Sequence, residues 1–151
     1  MVERVKVRFP TDDGQQDEVM YAIPSRDNCY ILDNSPFYVF GVSYCDEFKV
    51  KETDGELVYD FVIARAGHST YRIRIPAGKE HQYFLEHWDP LAELGCSYEG
   101  SSANKKRLYA IDMPPNVDVS KAYNIMEDNE HQGIWEFEEG HYCRADEISI
   151  C

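Results

Sequence analysis

The chain has 151 residues, with 28 Asp and Glu against 15 Lys and Arg, for a formal net charge of −13. A hydrophobic fraction of 43% and an aromatic fraction of 13% are enough to build a core, which excludes a disordered tail. The acidic field repels nucleic acid and anionic membranes, so neither is expected as a partner.

The length suits one domain, or two small modules packed as one unit. No apolar stretch approaches the roughly 20 residues of a membrane helix. The opening Met1-Val2-Glu3-Arg4-Val5-Lys6 alternates charge with Val and has no signal-peptide core, so the expected location is the cytoplasm.

In chain order, residues 2–9 alternate with Val5, Val7 and Phe9 on one side, which reads as a half-buried strand. Residues 11–17 form a polar loop, and residues 18–23 read as a second strand stopped by Pro24. Cys29 to Leu32 is a short third strand, and Asn34-Ser35-Pro36 is turn chemistry. Phe37 to Tyr44, with Gly41 inside it, fits a bent strand or a tight loop. Asp46 to Glu52 alternates again, Asp54-Gly55 signals a hairpin, and Leu57 to Ala66 is the return strand. Short strands joined by tight turns predict a small barrel or a strongly curved sheet over residues 1–66.

From Gly67 the period changes. Thr70 to Ile75 reads as a strand, and Lys79 to Leu94 as helical, with Phe84, Trp88, Leu91 and Leu94 on one face. Within that segment Asp89 is expected to cap a fresh turn with Pro90 at its first position, and Gly95 to stop it. Cys96 to Glu99 is a short strand, Gly100 to Asn104 a polar loop, and Arg107 to Met113 a strand broken by Pro114-Pro115. Asp118 caps a helix through about Asp128, with Val119, Ala122, Tyr123 and Met126 inward. Gly133 ends it, and Ile134 to Glu138 is the last strand. The overall expectation is an α+β chain. Its strand-rich first part is followed by a ferredoxin-like β-α-β-β-α-β half over residues 67–140 and a tail over 141–151.

Five cysteines at irregular spacing (Cys29, Cys45, Cys96, Cys143 and Cys151) read as free thiols in a reducing compartment. There is no Cys-x-x-Cys pair and no paired zinc spacing among the five His. His141 and Cys143, two apart, are the nearest approach to a ligand pair, so no metal and no cofactor are expected. Phosphate-binding glycine signatures are likewise missing.

The stretches YILDNSPFYVFGVSYCDEFKV, GHSTYRIRI, LGCSYEG, LYAIDMPPNVDV and GIWEFEEG, from about Val19 to Gly140, resemble a known bacterial family. Its members are small stand-alone proteins catalogued only as a domain of unknown function, the one numbered four-two-six-five. The resemblance implies no catalytic residues, because the family has no assigned chemistry. By analogy, small orphan families of this kind often serve as immunity proteins beside secreted toxins.

Several candidate sites follow. In Gly67-His68-Ser69-Thr70, a glycine suited to positive φ precedes an imidazole and two hydroxyls, as a nucleophilic site requires. Neighbours in an extended chain point apart, which favours a turn whose hydroxyls satisfy local backbone groups. Cys96 or Cys143 with a distant His is a second nucleophile arrangement, against a core role for Cys96. Tyr71, Tyr98, Tyr109 and Trp135 on strands would suit stacked RNA bases, but the acidic field opposes that.

The acids Glu127, Asp128 and Glu130 end the second helix, where carboxylates oppose the helix dipole. On the last strand Glu136 and Glu138 alternate with Trp135 and Phe137, which reads as aromatic anchors beside a charged rim. The preferred reading is therefore a non-enzymatic acidic module that binds a basic protein, most concretely an immunity protein facing a basic toxin such as a nuclease. The alternative is a small hydrolase or transferase using a Cys-His or His-hydroxyl pair near Gly67 to Thr70. A regulatory or ligand-binding module of metabolism is a third reading. The sequence does not give the oligomeric state.

Overall fold

The structure, a computed structural model, describes residues 3–11, 17–101 and 107–148. It is a mixed α+β, strand-rich protein. Five strands, β1 (Val5–Phe9), β2 (Glu18–Arg26), β3 (Cys29–Leu32), β4 (Glu47–Thr53) and β5 (Glu56–Ala64), close a barrel. All neighbours are antiparallel except β1 and β5, which meet in parallel at Arg8 and Val58. The β4–β5 hairpin turns at Asp54 and Gly55, both at positive φ (52° and 80°), the backbone that an Asp-Gly pair favours. Pro24 does not stop β2. It sits where the register against β3 shifts, and a bulge is where a strand tolerates a residue without an N–H.

The second half carries β6 (Ser69–Arg74), α1 (His81–Leu85), α2 (Asp89–Leu94), β7 (Ser97–Ser101), β8 (Leu108–Met113), α3 (Val119–His131) and β9 (Glu136–His141). Its sheet is antiparallel, in the order β7-β8-β6-β9. The helical segment expected over 79–94, with a fresh turn at Pro90, is two short helices, because Pro90 has no N–H to carry the ladder across the junction. Trp88, and not Asp89, occupies the N-cap of α2. Asp118 does cap α3, accepting from the Lys121 N–H at 3.2 Å. Tyr123, expected inward, is 36% exposed, with its ring edge-on to Tyr71 and Phe137. β9 runs one residue into the stretch read as a tail, and Ile148 beyond it bridges to Arg65. The two polar loops expected at 11–17 and 100–104 lie mostly outside the described residues, although Gly100 and Ser101 belong to β7.

Two apolar clusters form. Val7, Phe9, Met20, Ala22, Leu32, Phe48 and Val50 fill the barrel. Tyr71, Ile73, Tyr109 and Ile111 from the sheet pack on Phe84, Trp88, Leu91, Ala122 and Met126 from the helices. The Phe84 and Tyr109 rings stack at 3.7 Å.

The opposite face of that sheet is covered at Thr70 and Arg72 of β6 and open to solvent at Glu136 and Glu138 of β9. Thr70 and Arg72, 1% exposed each, point toward residues 36–44 of the barrel half. This loop is held from both sides. The Glu18 carboxylate accepts the Phe37, Tyr38 and Val39 N–H groups at 2.7, 3.1 and 3.1 Å. The Arg72 guanidinium donates to the Val39, Tyr38 and Pro36 carbonyls at 2.8, 3.2 and 3.5 Å. Val39 and Val42 are thereby set into the barrel core. Beyond them Gly41 N–H donates to the Gly140 carbonyl, and Thr70 Oγ1 donates to Ser43 Oγ at 2.7 Å. Asp46, fully buried, accepts Ser43 N–H and the Arg65 guanidinium.

A Glu18→Gln change replaces a carboxylate that serves three amides. We expect a loss of about 2 kcal/mol, read as a fall in Tm of about 4–8 °C. The amides of Phe37, Tyr38 and Val39 should lose hydrogen-exchange protection first. Gly140→Ala, whose Cβ would lie 2.5 Å from Arg72 Nη1, should loosen the same three amides. Unchanged exchange there in both variants would contradict the clamp.

Candidate functional site

The acidic set is partly brought together. Asp128 at the end of α3 is exposed, as are Glu136, Glu138 and Glu139 on β9. Glu127 and Glu130 are half-buried, and the Glu130 carboxylate accepts the Phe137 N–H at 3.1 Å. Glu138 reaches the buried Arg72 at 3.3 Å, and Glu139 accepts the Tyr71 hydroxyl at 2.9 Å.

The aromatic anchors are not those expected. Trp135 is 2% exposed, its Nε1 donates to the Met126 carbonyl, and its ring lies near Phe84 and His87. Phe137 packs partly buried against the same core. The alternation along β9 is real, but its aromatic side faces the helices, and only the acid side reaches solvent. The exposed rings near those acids belong to the clamped loop. Phe40 is 48% and Tyr38 41% exposed, and the Arg72 guanidinium that touches Glu138 also lies 4.6 Å above the Phe40 ring. The signal for this was an arginine, Arg72, between Tyr71 and Ile73 of the buried strand β6. Tyr71 and Tyr109, considered as base-stacking rings, are 2% exposed and face the helices together with Trp135.

A second cluster lies where the barrel meets the sheet. His68 Nδ1 donates to both oxygens of Asp112, at 2.9 and 3.1 Å. Asp112 first, and then the nearby Cys45, raise the His68 pKa to about 9. The Tyr44 ring meets the imidazole edge-on at 5.3 Å. Asp112, an acid inside the buried strand LYAIDM, was the visible signal; Cys45 gave none. The hydroxyls after His68 turn elsewhere, and not to local backbone. Ser69 Oγ accepts from the Cys143 N–H, and Thr70 serves Ser43. The geometry gives no His68–Ser69 pair. Gly67 does take positive φ, 101°, and a Cβ there would meet Pro115 at 2.7 Å. Cys96 is buried, which pushes its thiol up to about 11, and burial also raises Cys143. Burial lowers His141, whose Nε2 has no hydrogen-bond partner among the described residues and lies 4.0 Å from Glu147 Oε2. Among the described residues, no three His, Cys, Asp or Glu side chains are grouped to hold a metal ion. No helix among them is long and apolar enough to cross a membrane.

The raised pKa of His68 makes stability depend on pH. Its ordinary value is 6.5 and its folded value about 9. The stabilisation is therefore complete below pH 6.5 and is lost as pH rises through 9. Discounted for solvent screening, it is on the order of 2 kcal/mol. Urea unfolding should show the wild-type advantage over His68→Gln shrinking by that amount between pH 6 and pH 10. A constant difference would contradict the pairing with Asp112.

No curated protein matches this chain. The crystal structure of a hypothetical protein from Neisseria gonorrhoeae is similar at a TM-score of 0.74 and 16% identity, over 96% of this chain and 98% of that one. At that identity the likeness speaks for the fold. The family described as Domain of unknown function (DUF4265) matches residues 18–137, a span that opens on the clamp residue Glu18 and takes in Arg72, His68 and Asp112, and the chain belongs to that family.

Proposed function

We propose that this chain is a non-enzymatic acidic protein-binding module of the bacterial cytoplasm, most concretely an immunity protein that neutralises a basic toxin such as a nuclease. We also read residues 67–140 as a ferredoxin-like unit. The antiparallel order β7-β8-β6-β9, with helices between β6 and β7 and between β8 and β9, supports that reading.

The observation that carries the functional reading is the solvent side of β9. Glu136 and Glu138 stand exposed there, and the exposed Phe40 ring lies against the Arg72 guanidinium that Glu138 touches. Exposed rings within a charged rim are the composition of a protein-binding hot spot. The net charge of −13 selects a basic partner and steers its approach. The edge of β9 is already occupied at two points, Phe137 N–H by Glu130 and Gly140 O by Gly41, which disfavours strand addition. A partner would therefore meet side chains. Occlusion of the toxin's own site would inhibit it without chemistry by this chain.

The second reading, a small hydrolase or transferase, is favoured at one point, the place of Cys45 near the His68 imidazole, next to Tyr44, whose ring meets that imidazole. Against acyl transfer, the N–H groups of Cys45 and Asp46 are already donated to Leu32 O and Ser43 O, so neither is free for an oxyanion.

The test uses the toxic product of the adjacent gene. Asp128→Lys with Glu136→Lys should slow association about tenfold at low salt, and the effect should shrink as salt screens it. Phe40→Ala should weaken the complex by about 1–3 kcal/mol, mainly through faster dissociation. Binding that is unaffected by these changes, or the absence of any toxic neighbour, would overturn the proposal.

A further inference from the structure

The acidic face lies on one side of β9. On the helix side a groove runs along the start of α3. It consists of two hollows, of about 270 and 280 Å³, that share Val119, Ser120 and Tyr142. The first is lined by the Tyr71, Tyr123 and Tyr142 side chains, the second by Pro114 and Pro115. Tyr142 and Tyr123 are 44 and 36% exposed, and Pro115 is exposed beside them. Tyr71 lies deeper, its ring centre 6.3 Å from that of Tyr123. Its hydroxyl is donated to Glu139 Oε1 at 2.9 Å. The hydroxyls of Tyr123 and Tyr142 and the amide of Asn124 have no partner among the described residues. Of the described residues lining the two hollows, the charged ones are Glu139 and Asp118, with no Lys, Arg or His.

We infer that this groove binds a proline-rich segment that carries a basic residue. Three backbone forms could lie in it. A strand would need the edge of β9, where Phe137 N–H and Gly140 O are already taken by Glu130 and Gly41. A helix satisfies its own carbonyls and has no use for exposed hydroxyl and amide donors. A polyproline II segment has no internal hydrogen bonds, so its carbonyls take such donors, and its proline faces recur about every third residue. Tyr123, Tyr142 and Asn124 supply the donors. The tyrosine rings and Pro115 supply flat apolar walls for the proline rings. The segment is already extended before it docks, so little entropy is lost on binding. The charge on the segment follows from the lining. Glu139 is exposed and keeps its second carboxylate oxygen for an Arg or Lys, and Asp118 adds a second negative charge farther along.

The experiment titrates the full chain with fluorescently labelled synthetic peptides and follows polarisation. The probe is a short run of prolines interrupted by two arginines. One control carries the same arginines among glycines and serines, and another has glutamates in place of the arginines. We expect the proline–arginine peptide to bind with a Kd below about 1 mM. It should bind about tenfold tighter than the glycine–serine control, and the glutamate control should not bind. Tyr142→Ala should weaken binding about tenfold, and Tyr142→Phe by less, since the ring remains. Ser120→Trp, at an exposed position shared by both hollows, should block binding with Tm unchanged. Phe40→Ala, on the far side of β9, should leave peptide affinity as it is, which keeps this result separate from the toxin-binding test. The proposal falls if the glycine–serine or glutamate peptide binds as tightly, if no peptide binds below about 1 mM, or if Tyr142→Ala and Ser120→Trp leave affinity unchanged. Loss of binding in Phe40→Ala would place the peptide on the acidic face and equally overturn it.

Discussion

The junction between the two halves of this protein depends on how five residues of loop are held. Residues 36–40 have neither helix nor strand, so their backbone polar groups need partners from elsewhere. Glu18 supplies an acceptor for three N–H groups, and Arg72 supplies donors for three carbonyls. One residue comes from the barrel wall and the other from the second sheet. The loop is thus the joint between two apolar clusters that otherwise fill separately. Burial works against the Arg72 charge, and the contact with Glu138 offsets part of that cost. The bulge at Gly140 completes the geometry, since a Cβ there would occupy the guanidinium's place.

The same joint sets the acidic face of β9 and the cluster around His68. On one side it presents Phe40 and Tyr38 beside the acids of β9, because Arg72 ties the ring and Glu138 together. On the other it continues through Ser43 and Asp46, which fixes the turn at Tyr44 and Cys45 against His68. A rigid support of this kind suits recognition, since little conformational entropy remains to be lost when a partner docks.

Local rules made much of the architecture legible. Asp54-Gly55, Asp118 and the period-2 strands before Ala66 act through neighbours in sequence, and each appears where its chemistry puts it. The failures are of two kinds. Pro24 was read by local rules, and tertiary context changed the outcome, because a bulge absorbed it; at Pro90 the fresh turn came as expected, with Trp88 and not Asp89 at its cap. The site failed for another reason. Glu18 and Phe37 are 19 positions apart, Arg72 and Val39 are 33, and His68 and Asp112 are 44. No periodicity reports pairs so distant. The only traces were charged residues inside apolar strands, Arg72 and Asp112. Trp135 misled because alternation shows that two faces differ, and only packing decides which one is covered.

The reading that joins these points is an acidic, ring-bearing face mounted on a clamped loop. The most direct test is a hydrogen-exchange footprint of the chain bound to the basic product of its neighbouring gene. The account predicts new protection confined to residues 37–41 and 136–139 and the end of α3, with the Cys45–His68 junction unchanged. Protection centred on β7 and the cleft beside Tyr44, with residues 136–139 exchanging as in the free protein, would contradict it.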